Sequence, residues 1–295
     1  MAKIAANGIQ LEYETHGSHD APAVLLVHGL GAQLSLWPDA FVEQLAKQGL
    51  RVIRYDNRDI GLSQKFEAYG TPNLPELTAK VMAGEKIAAP YLLSDMAADG
   101  IALAQALGIK RVHVVGVSMG GMIAQLMAAN FPDRVGSLTS IMSSSGRRGL
   151  PPGKPEAMKV LLTPPANAER ATVIAHGINL RQTISSPGYP TSDAEQRALV
   201  ERNFDRSFYP QGLARHYNAI MASGGRVEIL PRIKAPTLVI HGDEDPVVRV
   251  EAGKDTAALI PGARLEIIPG MGHDLPAQLL PKIVGLIAEH ANRAG

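Results

Sequence analysis

The pentapeptide Gly116-Val117-Ser118-Met119-Gly120 sets a serine between two glycines, after the aliphatic run Val112 to Val117 and before the helix-like run Met122 to Asn130. A serine on so sharp a strand-to-helix turn sits in a strained backbone, and glycine two residues to either side lets strand and helix approach. Its hydroxyl would project at the carboxyl edge of a sheet, above the free N–H groups of a helix N-terminus. A hydroxyl is a poor nucleophile at neutral pH, so it needs an imidazole base, and the base needs an orienting carboxylate. Of the nine histidines, His273 in Gly270-Met-Gly-His273 follows a strand-like run on a glycine-flanked loop, where a mobile base at the sheet edge belongs. For the carboxylate, Thr237-Leu-Val-Ile-His-Gly leads into Asp243-Glu-Asp245-Pro246. Asp245 is preferred because the proline after it biases it to an extended conformation at a turn. Asp243 is the alternative, and Asp274 is taken as solvated. The order Ser118, Asp245, His273 is suited to acyl transfer. A developing oxyanion needs donors already aimed at it, and the glycine-rich turn Val27-His28-Gly29-Leu30-Gly31 supplies one: the N–H groups of Leu30 and Met119 are the candidate pair. Losing a single donor of this kind costs about 10²–10³ in turnover.

Other chemistries lack their residues. The chain has no cysteine, which removes disulfides, thiolate metal sites and a cysteine nucleophile. Leu34 stands where a dinucleotide fingerprint beginning at Gly29 needs its third glycine, and neither a phosphate-loop lysine motif nor a His-Glu-x-x-His metal motif occurs. No cofactor and no metal are therefore expected. His28, His113 and His241 read as structural, satisfied by neighbouring backbone groups, while His16, His19, His176, His216 and His290 stand in no constellation. Lysine and arginine total 29 against 28 aspartate and glutamate, a net +1, which argues against binding nucleic acid or an acidic membrane surface. The aliphatic runs are strand-sized, far short of the roughly 20 residues of a bilayer span. The N-terminal segment is interrupted by Asn7, Gly8 and Gln10, so it lacks a secretory apolar core and a cytoplasmic location is expected. A small-molecule substrate is the expected partner; the sequence leaves the oligomeric state open, a homodimer included.

The elements that must position these groups follow from hydrophobic pattern. Ile9 to Thr15 alternates apolar and polar, as a half-buried antiparallel strand near a sheet edge does. Ala23–Val27, Val52–Tyr55, Val112–Val117 and Thr237–Ile240 are short continuous apolar runs, the signature of parallel strands covered on both faces. Helical spacing in Phe41–Ala46, Met96–Leu107 and Met122–Asn130 alternates with them, so the sheet is doubly covered with right-handed connections. Ser94 or Asp95 is suited to cap the second of these helices and Gly108 to end it. From Gly146 to Arg232 strand character disappears and helix-like pieces, Ala194–Phe204 and Gln211–Ala222, take over. Residues 1–145 and 233–295 are thus expected to form one core domain around a helical cap of residues 146–232. The irregular stretch Gln64 to Pro90 is a candidate flank of the site. Trp37 and the methionines 119, 122, 142, 158 and 221 read first as packing, then as an adaptable pocket wall.

With these residues in hand, the chain resembles the α/β-hydrolase superfamily through His28-Gly-Leu-Gly, Tyr55-Asp-Asn-Arg-Asp-Ile-Gly-Leu-Ser63, Gly116-Val-Ser-Met-Gly120, His241-Gly-Asp-Glu-Asp-Pro246 and Gly270-Met-Gly-His273. Within it, the chain is similar to serine carboxylesterases with a helical cap, including polyketide-trimming methylesterases of the aclacinomycin methylesterase type. The resemblance implies a mostly parallel eight-stranded sheet, an acyl-enzyme on Ser118, a proton shuttle at His273, orientation by Asp245, and a cap that shapes the pocket. It implies hydrolysis of small to medium apolar carboxylic esters, with Asp56, Arg58 and Ser63 in a structural loop. Relatives that cleave carbon–halogen bonds or epoxides use an aspartate nucleophile, and position 118 is serine. Lactonase, thioesterase, C–C hydrolase and perhydrolase chemistry on the same triad remain alternatives, as does a non-catalytic small-ligand receptor.

Overall fold

The computed structural model describes residues 2–294. Eight strands, β1 (Ala2–Ala6), β2 (Ile9–His16), β3 (Ala23–Val27), β4 (Arg51–Tyr55), β5 (Val112–Val117), β6 (Val135–Ile141), β7 (Thr237–Gly242) and β8 (Arg264–Ile268), form one sheet in the order β1-β2-β4-β3-β5-β6-β7-β8. β2 pairs antiparallel with β1 and β4, and every pairing from β4 to β8 is parallel. The alternating segment at Ile9 is therefore antiparallel and lies near the sheet edge, as expected, next to the edge strand β1. Chain order reverses across β3, so the loops after β3 and β5 leave neighbouring strands at one rim, the crevice where open α/β sheets place ligands.

Among the described residues, ten α-helices connect or cover these strands: α1 (Asp39–Lys47), α2 (Leu74–Met82), α3 (Leu93–Ala106), α4 (Met119–Asn130), α5 (Pro155–Leu162), α6 (Arg170–Ile184), α7 (Asp193–Arg206), α8 (Pro210–Ser223), α9 (Val250–Leu259) and α10 (Leu280–Arg293). Alternate strand residues divide the core between the two faces. Leu25, Val27, Val114 and Leu138 pack under α3 and α4, whereas Val24, Leu26, Val115 and Ile141 pack under α1 and α10. Continuous aliphatic strands are what two covered faces require, because residues of either parity are buried. Trp37 is fully buried and stacks on Phe41 with ring centroids 5.2 Å apart, so it is a packing residue. Neither Ser94 nor Asp95 caps α3. Both lie in its first turn, Leu92 holds the cap position, and the Asp95 carboxylate reaches back to accept from the Leu92 N–H at 2.7 Å. The stretch from Gln64 to Pro90 is not wholly irregular, since α2 occupies its middle and packs on α8.

Between β6 and β7 lie only helices and loops, with α5 to α8 in succession. Buried ion pairs and hydrogen bonds help fasten them to the rest of the fold. Arg215 of α8 and Asp59, 1% and 0% exposed, pair through two hydrogen bonds of 2.5 and 2.8 Å, and Tyr91 donates to the same carboxylate at 2.8 Å. Removing one partner of such a pair leaves an uncompensated buried charge, a loss of about 3–5 kcal/mol. Gln33 donates to the carbonyls of Asn203 and Ser207 at 2.7 and 2.8 Å, which ties the end of α7 to the loop after β3.

Candidate active site

Ser118 lies between β5 and α4 at φ 55° and ψ −122°, a conformation disfavoured for any residue with a Cβ. The turn survives because its neighbours are glycines: a Cβ on Gly116 would lie 2.1 Å from the Gly120 carbonyl oxygen, and one on Gly120 would lie 2.0 Å from that of Val27. The Ser118 N–H donates to Ile141 O at 3.0 Å, and Ser143 donates its hydroxyl to Ser118 O at 2.7 Å, so β6 holds the strained turn from the side.

His273 stands on the loop after β8, its Nε2 at 3.0 Å from Ser118 Oγ and its Nδ1 at 2.7 Å from Asp245 Oδ2. Asp245, on the loop after β7, is fully buried, and its other oxygen accepts the N–H groups of Val247 and Val248 at 2.8 and 2.9 Å. Because a carboxylate only accepts, Nδ1 of His273 carries the proton, which leaves a lone pair on Nε2 facing the serine hydroxyl. Burial alone would raise the Asp245 pKa; the charge of His273 and hydrogen bonds from His241 and His273 outweigh it, and the net shift is downward. The structure thus brings Ser118, His273 and Asp245 into one chain of hydrogen bonds. Asp243 does not join it; its Oδ1 accepts the Gly270 N–H at 2.7 Å and braces the histidine loop.

The turn after β3 closes against the serine: a Cβ on Gly29 would be 3.1 Å from Ser118 Cβ. The N–H groups of Leu30 and Met119 enter no turn, loop or side-chain hydrogen bond among the described residues, so both are free to donate at the rim. His28 accepts the Gly29 N–H on Nδ1 at 2.7 Å, and burial keeps it neutral, with its pKa pulled down to about 3. His113 bonds to Ser137 at 2.9 Å and His241 donates to Val248 O at 2.7 Å, so the three histidines read as structural have local partners.

Sequence reasoning missed two residues of the helical segment that act on this site. His216 of α8, read as having no constellation, is fully buried, accepts the Gly31 N–H on Nδ1 at 3.2 Å and donates from Nε2 to Arg58 O at 2.7 Å, holding the glycine turn in place. Ser186, just past α6, is 1% exposed. Its Oγ accepts the Gly272 N–H at 2.8 Å and donates to Asp274, whose Oδ1 also accepts the Ser186 N–H at 3.0 Å. Ile184 O accepts the His273 N–H at 2.8 Å, and the Gly188 N–H donates to Gly270 O at 2.9 Å. Asp274 is therefore not solvated but clamped, and burial pushes its carboxyl pKa up. No pattern signals such contacts, since a serine in a loop looks like any turn residue. Asp56 accepts the N–H groups of Leu34 and Leu62, both at 2.7 Å, Arg58 pairs with Asp99, and Ser63 donates to Asp56 O at 2.7 Å, a structural network as expected.

No group of three or more His, Cys, Asp or Glu among the described residues is arranged to hold a metal ion. No helix among them is long and apolar enough to cross a membrane. A surface hollow of about 520 Å³ lies elsewhere, against β2 and α1, lined by Tyr13, Glu14, His16, Asp39 and Arg54; it holds no part of the triad. A model described as alpha/beta hydrolase fold matches residues 22–277. Rhodomycin D methylesterase DauP of Streptomyces sp. (strain C5) is 28% identical, with 93% of this chain and 92% of that protein covered. 3-Oxoadipate enol-lactonase 2 of Acinetobacter baylyi is 26% identical over 90% of this chain and 87% of that protein. Among solved structures, the meta-cleavage product hydrolase of Pseudomonas fluorescens IP01 superposes with a TM-score of 0.78 at 21% identity, covering 100% of this chain and 98% of the other.

Proposed function

This chain belongs to the alpha/beta hydrolase fold family, and on that premise we propose that it cleaves small to medium apolar esters through an acyl-enzyme on Ser118. It is a carboxylic ester hydrolase, as its full-length similarity to a methylesterase and an enol-lactonase supports. The observation that carries the mechanism is the continuous hydrogen-bond chain Asp245–His273–Ser118, with contacts of 2.7 and 3.0 Å, on a strained turn.

In that mechanism Ser118 Oγ attacks the ester carbonyl carbon while its proton passes to Nε2 of His273. The C=O electron pair moves onto oxygen, which accepts from the Leu30 and Met119 N–H groups. Collapse breaks the C–O bond, and the alkoxide leaves with the proton from Nε2. Water then attacks the acyl-serine, gives its proton to Nε2, and the acid departs as Ser118 recovers that proton. Asp245 keeps the imidazole in the Nδ1–H form and stabilises its transient charge. Residues 146–232, with α5 to α8, act as the cap over a core of residues 1–145 and 233–295, and Leu213 and His216 of α8 meet the oxyanion turn at Gly31.

The test is a p-nitrophenyl ester series with organophosphonate labelling. Wild type should turn over and gain one phosphonyl group on the peptide bearing Ser118, whereas Ser118→Ala should do neither and keep its melting temperature. Turnover persisting in the alanine variant would overturn the assignment.

A further inference from the structure

We propose that His216 of α8 is a positioning residue for the oxyanion turn: it fixes the peptide next to the Leu30 donor, so turnover depends on how α8 is seated. The inference rests on the esterase reading above, with the Leu30 and Met119 N–H groups as the oxyanion donors.

The turn has two forms to choose between. Gly29 O accepts the Ala32 N–H at 3.2 Å, which makes Leu30 and Gly31 its central residues. Gly31 has φ 64° and Leu30 stays out of the positive region, the dihedral pattern of a type II turn. Turning the Leu30–Gly31 peptide over, by roughly 150°, would give the commoner type I form. The Leu30 N–H belongs to the preceding peptide and shares the Leu30 Cα with this one. It keeps its aim only while the Leu30–Gly31 peptide stays put.

The partner of the Gly31 N–H decides between the forms, and that partner is His216. The ring is fully buried. Its Nε2 lies 2.7 Å from Arg58 O, a group that only accepts, so Nε2 carries the proton and Nδ1 offers a lone pair to the Gly31 N–H at 3.2 Å. Burial opposes a second proton, which would turn that acceptor into a donor. Arg58 is itself fixed, held to Asp99 by two bonds of 2.6 and 2.7 Å, and its neighbour Asn57 donates to His28 O at 3.0 Å, just ahead of the turn.

The contacts of α8 place the ring. Gly212, Leu213, Arg215 and His216 fall within one helical turn on one side of the helix. A Cβ on Gly212 would run into the Asp59 carbonyl, and one on Gly31 would lie 2.8 Å from Leu213 Cδ1, so the helix meets both loops closely. Arg215, the residue before His216, is locked to Asp59 by bonds of 2.5 and 2.8 Å. The bond to Gly31 therefore exists only while α8 is seated.

The experiment compares 4-nitrophenyl butyrate with its thiono analogue, in which sulfur replaces the carbonyl oxygen. The two esters differ only in the atom that takes the developing charge, so the ratio of their kcat/KM values reads the oxyanion donors. His216→Gln puts an amide nitrogen where Nε2 stood, which keeps the bond to Arg58 O and loses the acceptor. His216→Asn puts an amide oxygen where Nδ1 stood, which keeps the acceptor. The glutamine variant should lower kcat for the oxygen ester by about 10-fold or more, with KM within about 3-fold, and narrow the oxygen-to-sulfur ratio by at least about 5-fold. The asparagine variant should recover most of both losses, with circular dichroism and thermal melts showing that each variant is folded. Leu213→Ala loosens the seating of α8 without orphaning a polar group; it should narrow the ratio by about 2-fold or more, and it decides the matter if the glutamine variant does not fold. A wild-type ratio in folded His216→Gln, or in Leu213→Ala where the former does not fold, would overturn the proposal, as would equal losses in the glutamine and asparagine variants. Turnover of neither ester by wild type would instead overturn the esterase reading on which it rests.

Discussion

Replacing Asp245 by asparagine should invert the protonation of His273 without dismantling the site. Oδ1 of Asp245 accepts two backbone N–H groups, from Val247 and Val248 at 2.8 and 2.9 Å, so that position tolerates only an oxygen. In the variant the amide oxygen must stay there, and the NH₂ group takes the place of Oδ2, 2.7 Å from Nδ1 of His273. An NH₂ group only donates, so Nδ1 must accept and the ring proton moves to Nε2. Nε2–H cannot take the proton of Ser118, whose oxygen stands 3.0 Å away. A base held in the wrong tautomer loses about 10⁴ in kcat, which corresponds to about 5.5 kcal/mol of transition-state stabilisation. The fold should persist, because both backbone donors keep their acceptor. Asp245→Ala, by contrast, orphans two N–H groups and should destabilise by about 1–3 kcal/mol for each. The assay is single-turnover release of p-nitrophenol with urea melts on the same preparations, and ¹⁵N chemical shifts of the His273 ring report the tautomer directly. A loss below about 10-fold in folded Asp245→Asn, or an equal loss in Asp243→Asn, would refute the reasoning. Asp243 bonds to Gly270 and not to the imidazole.

Ser118→Gly should abolish turnover yet raise stability by about 1 kcal/mol, since it releases a strained φ of 55°; a less stable glycine variant in urea melts would show the turn to be unstrained. Ser186→Ala should lower kcat by about 10- to 100-fold with little change in KM, because the clamp on Gly272 and Asp274 holds the base within reach. Threonine at 186 should restore most of it, and an unchanged kcat would show the clamp to be idle. His28 has its pKa pulled from 6.5 to about 3 by burial first and then by the charges of Arg181 and His273. The unfolded chain therefore binds a proton there below about 6.5 that the folded chain refuses. Its contribution to stability is complete above that pH and falls by about 1.4 kcal/mol per unit as pH drops toward about 3. Urea melts of His28→Asn should show a shallower acid decline than wild type; parallel declines would contradict this.

The sequence by itself singled out Ser118, His273 and Asp245 as the proposed nucleophile, base and acid, the proposed donor turn after Val27, and the alternation that makes the sheet, because each is written within a few adjacent residues. Glycine spacing around Ser118 reflects a clash of 2.0–2.1 Å that any Cβ would meet, and continuous aliphatic runs reflect strands covered on both faces. Short-range steric demands of this kind leave a mark in a single stretch of chain. What only the tertiary structure decided are the pairings across great separations. His216 reaches Gly31 over 185 positions, Ser186 reaches Gly272 over 86, and Arg215 reaches Asp59 over 156. A lone polar residue on a helix or loop has no periodicity to betray its partner, so Asp274 read as solvated when it is clamped.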